Sequence, residues 1–370
     1  AGDGSREQRR ALIEGLSRLP VARLVTAAQA ATSPEAAGDL WRAVTRRARA
    51  VPAEAGPALA AIVAALPAAS DYERRYRIVD GLASLGDATA LTALAELLRG
   101  LPVDANRGAF DQVAASAIAK HPRAEALELL LFLVHESDPG VRYAALTALG
   151  ATEGGPAGPW HQAVQADGVD RVIQTSLASD TWPEVRARAA QMLGARCARP
   201  GPAQSLGDAV HRDPELAVRG DALAALVECK ATGTGELLAK TWDNRKQPIE
   251  LRQRAIDLAV ELGDRTLAGK LVGKFTQWRG AAIESADALA LAQNAAYAIG
   301  RLAPPGTAEA LSGALDDGAF PEIVAAAATG LGLMGKACPA TARVKLRSLA
   351  RSEEQQVQLA AGHAAALCGK

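Results

Sequence analysis

An acidic and a basic residue in the stretch "SDPGVRYAALTALG", residues 137–150, are the first groups in this sequence whose types and spacing could do chemistry. Asp138 and Arg142 are four residues apart, so in a helix their side chains share one face. Such a pair can polarise a substrate, or it can simply join two parts of the structure. The choice between these roles depends on the reactive residues around it.

The other reactive residues form no known catalytic motif. The five histidines are scattered, and no nucleophile elbow, dinucleotide-binding or zinc-protease pattern occurs. The Gly-rich stretch "ATGTGELL" (231–238) lacks the lysine of a phosphate-binding loop, so we interpret it as a turn between helices. Asp316-Asp317 and Glu353-Glu354 stand where helix ends are expected, which favours capping or solvent-facing roles. The sequence therefore predicts no catalytic, cofactor-binding or metal-binding residue.

The charge balance argues against nucleic acid as a partner. Lys plus Arg and Asp plus Glu both total 41, so the formal net charge is zero, whereas a nucleic-acid-binding surface normally brings a basic excess. The basic cluster "WRAVTRRARA" (41–50) is interpreted as a solvated helix face. No stretch reaches the roughly 18 apolar residues of a membrane span. A lipid anchor upstream of Ala1 stays open.

The composition predicts that helices position these residues. Hydrophobic residues make up 49% of the chain but aromatic residues only 4%, and much of the apolar content is Ala and Leu, which are strong helix formers. Alanine lets helices approach closely but buries little area per residue, so stability must come from many small contacts. The most apolar segment, "IVAAAATGLGLMG" (323–335), is predicted to be a buried helix.

An internal repeat organises the helices. A polar or Pro-containing turn is followed by an aliphatic residue and Arg, then by Ala three residues later, and then by an apolar helix. Arg142, Arg186, Arg219 and Arg252 occupy equivalent positions, separated by 44, 33 and 33 residues. A period near 33 residues, filled by two short amphipathic helices, predicts an all-α fold, an α-solenoid in which antiparallel helix pairs stack into a superhelix.

One solenoid is predicted to span residues 1–370. Residues 152–168 stretch one repeat spacing and are rich in Gly and Pro, so they are predicted to form a surface loop, and insertions in solenoids gather on one face that is often the binding face. The predicted segments are degenerate repeats in 1–120, clear repeats in 121–263, an irregular long helix in 264–303 and capping repeats in 304–370.

The recurring residues resemble the HEAT repeat, in particular the short bacterial HEAT-like and phycobilisome-lyase-type repeats. They are Asp138-Pro139, Val141-Arg142, Ala145 and Leu149-Gly150, with their copies. In HEAT-like repeats the turn Asp and the Arg of the second helix form a ladder between repeats, so the resemblance implies a structural role for this pair. The ladder residues implied in this way are Asp138, Arg142, Arg186, Asp213, Arg219 and Arg252.

Four cysteines stand at matching positions of neighbouring repeats. Cys197 and Cys229 end second helices in consecutive repeats, and Cys338 and Cys368 do so in the last two. Stacked helices lie about 8–10 Å apart, and frayed ends can approach within the roughly 7 Å that a disulfide requires. This register predicts Cys197–Cys229 and Cys338–Cys368 disulfides, and with them an oxidising compartment. Four buried thiols in a cytoplasmic protein are the alternative.

Four tryptophans stand near predicted turns or helix ends. Trp160 closes the insertion, Trp182 begins the next turn, and Trp242 and Trp278 accompany basic residues. Because tryptophan is enriched among the residues that dominate binding energy at interfaces, these four are candidate protein-binding residues. Local packing and helix capping are the alternatives.

Three functions remain open after these observations. The leading hypothesis is a non-enzymatic scaffold or adaptor, periplasmic or secreted, that presents a solenoid surface to a protein partner. The second is a structural subunit of a larger envelope or surface assembly. The third is an enzyme on a HEAT-like frame, either DNA glycosylase-like or lyase-like. Neutral charge argues against a glycosylase, and no residue can be assigned to a lyase. No cofactor is expected.

Overall fold

Helices alternate with short turns along the chain. A computed structural model describes residues 2–65, 72–85, 88–101, 105–150, 159–165, 167–197, 199–304 and 306–370. These ranges contain 22 α-helices, three short 3-10 turns and no β-strand. None of the helices in these ranges is long and apolar enough to cross a membrane. The prediction of an all-α solenoid is confirmed.

The first of two compact units, Ala1–Met192, begins the array. Its helices are α1 (Gly2–Leu16), α2 (Val21–Ala30), α3 (Pro34–Ala50), α4 (Ala55–Ala65), α5 (Tyr72–Leu85), α6 (Ala88–Gly100), α7 (Ala105–Lys120), α8 (Leu127–Leu133), α9 (Pro139–Leu149), α10 (Pro159–Val164), α11 (Asp167–Ser179) and α12 (Pro183–Gly194), the last of which runs two residues past the boundary. The 3-10 turns of this unit are Pro52–Glu54 and Ala124–Ala126.

The second compact unit is Leu193–Lys370. Its helices are α13 (Pro200–Arg212), α14 (Leu216–Glu228), α15 (Thr234–Asp243), α16 (Ile249–Leu262), α17 (Arg265–Ala281), α18 (Ala286–Leu302), α19 (Ala308–Ala314), α20 (Pro321–Leu333), α21 (Ala340–Leu349) and α22 (Gln355–Leu367), with a 3-10 turn at Gly335–Ala337. That residues 1–370 form a single continuous solenoid stays a prediction.

The second helix of each pair packs on the second helix of the next pair. This layer runs through α3, α5, α7 and α9 in the first unit and through α14, α16, α18, α20 and α22 in the second. The first helices contact one another much less. Residues on the second helices therefore meet their counterparts in neighbouring repeats, which is what a ladder between repeats requires.

Small residues set the spacing of the last second helices. A Cβ atom on Gly300 would collide with the backbone of Gly330, and one on Gly330 would collide with the carbonyl of Ala296. A Cβ atom on Gly332 would lie 2.8 Å from the Cα of Ala364. These contacts explain the Ala- and Gly-rich composition, because helices that touch backbone to backbone leave no room for larger side chains. The predicted buried helix in 323–335 forms most of α20.

Residues 264–303 differ from the irregular long-helix segment expected there. They form two helices of equal length, α17 and α18. Ser285 separates the two helices because its Oγ accepts a hydrogen bond from the N–H of Ala288 at 3.2 Å and so caps the start of α18. The segment is a regular helix pair of the array.

The predicted insertion loop is only partly described. Residues 152–158 and 166 lie outside the described ranges. The part that is described contains the short helix α10, which packs against the turn Ala124–Ala126 and buries Trp160 and Val164. This part of the insertion is therefore packed structure and not the free surface loop expected from its Gly and Pro content.

Candidate functional site: an aromatic cleft between two repeats

A partly buried ion pair joins the turns of two consecutive repeats. Arg142 on α9 donates from Nε to Oδ2 of Asp180 at 2.6 Å and from Nη2 to Oδ1 at 2.8 Å. Its Nη1 donates to the carbonyls of Glu136 and Ser137 at 2.9 and 2.8 Å. The Arg142 and Asp180 side chains are 12% and 6% exposed. Paired hydrogen bonds of this kind fix both distance and orientation, so the pair clamps the two turns together.

The clamp favours the charged form of both partners. Burial raises the pKa of Asp180, but hydrogen bonds from Arg142 and from the backbone N–H of Trp182 outweigh burial and hold that pKa below its ordinary value. The hydrogen bond to Asp180 raises the pKa of Arg142. A pair that is ionised on both sides and held by several hydrogen bonds is suited to a structural role.

Asp138 and Asp213 cap helices or turns next to them. Asp138 Oδ1 accepts from the N–H groups of Gly140 and Val141 at 2.7 and 3.3 Å, which caps α9. Asp213 Oδ1 accepts from the N–H of Glu215 at 2.9 Å. The carboxylate that receives Arg142 is thus Asp180 of the next repeat, a residue that the sequence analysis did not single out.

Two of the remaining ladder arginines donate to backbone carbonyls, and the third has buried donors without an acceptor among the described residues. Arg186 donates to the carbonyl of Asp180 at 2.9 Å, and Arg252 donates to the carbonyl of Trp242 at the same distance. Burial lowers the pKa of Arg252. The Nε and Nη2 atoms of Arg219 are buried and have no hydrogen-bond partner among the described residues.

The ladder implied for Arg219 and Arg252 is therefore not formed as ion pairs in the described part of the chain. The turn before α16 explains the difference for Arg219. There Asn244 Oδ1 accepts the N–H of Lys246 at 3.0 Å, just as Asp180 accepts that of Trp182. A neutral amide thus occupies the position where an ion pair needs a carboxylate.

A second inter-repeat ion pair was missed because it lies outside the repeat register. Arg279, near the end of the first helix α17, donates from Nε to Oδ2 of Asp317 at 2.7 Å. Asp317 Oδ1 also accepts from the N–H groups of Ala319 and Phe320 at 3.0 and 3.3 Å. Burial raises the pKa of Asp317, but these hydrogen bonds bring it below its ordinary value. The only signal in the sequence was an Asp just before the turn that precedes α20.

Burial separates the four candidate tryptophans. Trp160, Trp242 and Trp278 are 3%, 1% and 6% exposed, so their rings belong to the core and the expectation of a surface role for them is corrected. Trp182 is 52% exposed. Trp182 lies in the turn directly before α12, and about half of its side chain is open to solvent.

Trp182 lines an open cleft between two repeats. One wall is Pro139, Gly140 and Tyr143, from the start of α9, and the other is Trp182, Glu184 and Val185, from the start of α12. The cleft encloses about 200 Å³, and the surface that its six lining residues turn toward it is almost entirely apolar. Tyr143 is 44% exposed. Because the Arg142–Asp180 clamp ties these two helix starts together, it holds the walls of the cleft at a fixed separation.

Two opposite charges stand one turn apart on α12, one on the wall of the cleft and one against its Tyr143 ring. Glu184 is exposed and has no ion pair with any other residue that the structure describes. One turn further along α12, the guanidinium carbon of Arg188 lies 5.9 Å from the centre of the Tyr143 ring. Arg188 also donates to Thr147 Oγ1 and to Gln191 Oε1, each at 3.0 Å. Arg188 therefore holds the Tyr143 ring in place and leaves Glu184 as the free charge.

An acidic cluster lies beside the cleft. Arg107 on α7 pairs with Glu136 at 2.6 Å and with Asp111 at 3.4 Å. Asp111 is 1% exposed, and burial, followed by the charge of Glu136, raises its pKa to about 7. Within the described ranges no group of three or more His, Cys, Asp or Glu side chains is arranged to hold a metal ion.

The four cysteines lie in the two pairs that their register predicts. The Cα atoms of Cys197 and Cys229 are 6.1 Å apart and those of Cys338 and Cys368 are 5.2 Å apart, with the sulfur atoms at disulfide distance. Both pairs belong to the second unit. The compartment in which these pairs form stays a prediction.

Comparison with known proteins supports the fold. No protein-family model matches this chain, and no curated protein sequence matches it. Among solved structures the chain is similar to Kap121p bound to Ste12p, with a TM-score of 0.65 and 14% identity over 93% of this chain and 40% of that chain. It is also similar to Kap121p bound to Pho4p, with a TM-score of 0.64 and 14% identity over 93% of this chain and 41% of that chain.

The chain spans less than half the length of the Kap121p chain in both structures. Kap121p is a karyopherin. At this identity the likeness concerns the fold alone, and it agrees with a HEAT-like repeat solenoid.

Proposed function

We propose that this chain is a non-enzymatic scaffold that binds a protein partner through the cleft of Trp182 and Tyr143. One observation carries the proposal, namely that two large aromatic side chains stand half exposed on opposite walls of an apolar cleft whose walls are clamped by a partly buried ion pair. Such rigid, half-exposed aromatic residues are the usual energetic anchors of protein interfaces.

Two further findings support a binding role. A side chain that is already held in place loses little entropy when a partner covers it, and Arg188 and Arg142 hold the cleft in this way. In addition, the structures of Kap121p with Ste12p and Pho4p show that a solenoid of similar fold binds other proteins. We also propose that the repeats belong to the short HEAT-like class, because their period is near 33 residues.

We further propose that the protein works in an oxidising compartment, the periplasm or the cell exterior. The two cysteine pairs at disulfide distance support this, because disulfides between repeats persist where thiols are not kept reduced. The scaffold would then meet its partner outside the cytoplasm.

The test of the binding site is a comparison of three forms of the full chain carrying the same affinity tag. These are the wild type, Trp182→Ala, and Tyr297→Ala as a matched control, because Tyr297 is 44% exposed, as Tyr143 is, and lies in the other unit. Each form is cross-linked in extracts of the native cells, and the bound proteins are quantified by mass spectrometry.

We expect at least one protein to be recovered in stoichiometric amounts with the wild type and with Tyr297→Ala. The recovered amount of that protein should fall about tenfold with Trp182→Ala. Equal recovery with all three forms would place the contact elsewhere on the surface. If Trp182→Ala unfolds at the same temperature as the wild type, misfolding is excluded as the cause of a lower recovery of the bound protein.

A structural subunit of a larger assembly is the second candidate function. The last helix pair exposes apolar side chains, with Val344 68%, Leu359 57% and Leu367 49% exposed, on helices that end the array of the second unit. A further helical layer placed there would cover them. Size measurement of the native complex separates the two candidates, because a permanent subunit stays in the same large particle when Trp182 is replaced.

A further inference from the structure

We propose that the cleft binds a proline-containing segment in the polyproline II conformation, with a Lys or Arg of the segment placed at Glu184. This inference rests on the proposed function, since it names the partner chemistry of the same cleft. It follows from the size of the cleft, the free donors on its walls and the sign of its free charge.

The size of the cleft selects among the ways in which proteins bind peptides. Strand addition needs an exposed sheet edge, and the described ranges contain no strand. A bound helix needs a groove for anchors at positions i, i+3, i+4 and i+7, whereas about 200 Å³ bounded by six residues accepts only one or two side chains. A polyproline II segment needs no more than this, because it docks compact rings between aromatic side chains.

The walls carry hydrogen-bond donors that suit such a segment. The Tyr143 hydroxyl and the Trp182 indole N–H have no hydrogen-bond partner in the part of the chain that the structure describes. A polyproline II segment makes no internal hydrogen bonds, and its proline residues offer carbonyls without N–H groups. The apolar lining of the cleft comes from the apolar parts of these rings, so the two donors stand outside it, where they can reach the free acceptors of a segment that docks there.

The charges favour one place for a cation of the bound segment. Glu184 is the unpaired charge on the cleft wall, while the guanidinium of Arg188, one turn further along α12, is held against the Tyr143 ring. A Lys or Arg of the ligand is attracted to Glu184 and repelled by Arg188, and its cation can also lie over the exposed indole of Trp182. An acidic residue at the same place in the ligand would be repelled by Glu184, so the cleft should discriminate between the two.

The probe is a set of synthetic peptides of about twelve residues with proline at every third position. One member carries a single Arg near its amino end and another carries it near its carboxyl end. Two matched members replace Arg by Glu, or all prolines by Ala. Binding to the full-length chain is measured by fluorescence anisotropy at low and at physiological salt.

We expect at least one Arg peptide to bind, and to bind about tenfold more tightly than its Glu and Ala counterparts. Trp182→Ala and Tyr143→Ala should each weaken this binding about tenfold or more, while Tyr297→Ala leaves it unchanged. Glu184→Lys should remove or reverse the preference for Arg over Glu without abolishing binding of the proline backbone.

Three results would overturn the inference: no peptide of the set binds, the Ala peptides bind equally well, or binding survives Trp182→Ala. Competition separates this failure from failure of the proposed function. If the native partner is lost with Trp182→Ala but is not displaced by the peptides, the cleft is a binding site with a different ligand. If the partner is retained by Trp182→Ala, the proposed function itself is wrong.

Discussion

The Arg142–Asp180 clamp is the residue-scale contact on which the cleft depends. Replacing Asp180 by Ala leaves the Arg142 guanidinium, 12% exposed, without its counter-charge and removes the acceptor for the Trp182 N–H. Breaking one partner of a buried ion pair costs about 3–5 kcal/mol. Because this pair is partly buried, we expect Asp180→Ala to lower the free energy of unfolding of the first unit by more than the roughly 1 kcal/mol of an exposed pair and by at most this amount in a denaturant titration.

The matched control is an exposed ion pair. Arg254 and Glu261 are 3.2 Å apart with side chains 43% and 56% exposed, so Glu261→Ala should cost no more than about 1 kcal/mol. If Asp180→Ala costs no more than Glu261→Ala, the pair does not clamp the turns.

A second prediction at the scale of residues concerns Asp111 and the pH dependence of the free energy of unfolding. Its pKa is about 7 in the folded protein, while a carboxyl of this type titrates near 3.9 in an unfolded chain. Between these values the folded state holds the extra proton, so this group makes the free energy of unfolding fall as the pH rises from about 4 to about 7. Asp111→Asn removes the dependence, and the variant should become more stable than the wild type by about 2–4 kcal/mol at pH 8.

The measurement compares the two proteins in denaturant titrations between pH 4.5 and 8. Arg107 keeps its shorter ion pair with Glu136 in the variant, so the substitution does not leave a buried cation alone. The same change at Asp208, whose side chain is 51% exposed, serves as the control and should give no trend. A difference between Asp111→Asn and wild type that is constant over this range contradicts the prediction.

At the scale of helices, α18 and α20 approach each other so closely that a residue larger than glycine at position 330 should destabilise the protein. A Cβ at this position meets the carbonyl of Ala296, and backbone cannot move aside as a flexible side chain can. Overpacking of this kind costs about 1–3 kcal/mol. Gly330→Ala should therefore lower the midpoint of thermal unfolding, measured by circular dichroism.

Gly273 in α17 provides the matched control, because a Cβ added there has no neighbour within 4 Å. Ala is the better helix former, so Gly273→Ala should be neutral or stabilise by up to about 1 kcal/mol. Equal stability of Gly330→Ala and Gly273→Ala would mean that the helices can separate without cost.

At the scale of the whole molecule, the two cysteine pairs each connect neighbouring repeats. Closing loops of 32 and 30 residues should stabilise the second unit by about 3–4 kcal/mol for each pair. We expect reductant to lower the unfolding temperature of the wild type and to have half the effect on a Cys338→Ser/Cys368→Ser double variant.

The same cysteines test the compartment. Protein isolated from its native cells under acid quench is alkylated before and after reduction, and the cysteine peptides are identified by mass spectrometry. Linked Cys197–Cys229 and Cys338–Cys368 peptides would support export. Four thiols that alkylate without reduction would contradict it, whatever the unfolding experiments show.

The sequence by itself determined the architecture and the pairing of the cysteines. Both depend on register, since residues one repeat apart lie side by side once helix pairs stack. The 33 residues between Arg186 and Arg219 already indicated the length of one repeat. The HEAT-like solenoid and the positions of the cysteine pairs could thus be predicted before any contact was seen.

Only the tertiary structure decided which of these residues form the cleft. Four tryptophans near turns look alike in the sequence, yet only Trp182 remains exposed, because exposure depends on what a neighbouring repeat places over each ring. The partner of Arg142 likewise depends on contact across a turn, and Tyr143 was passed over because its counterparts in other repeats are not aromatic. Periodicity tells which residues share a helix face, whereas the packing of non-identical neighbours decides which of them meet and which stay open to a partner.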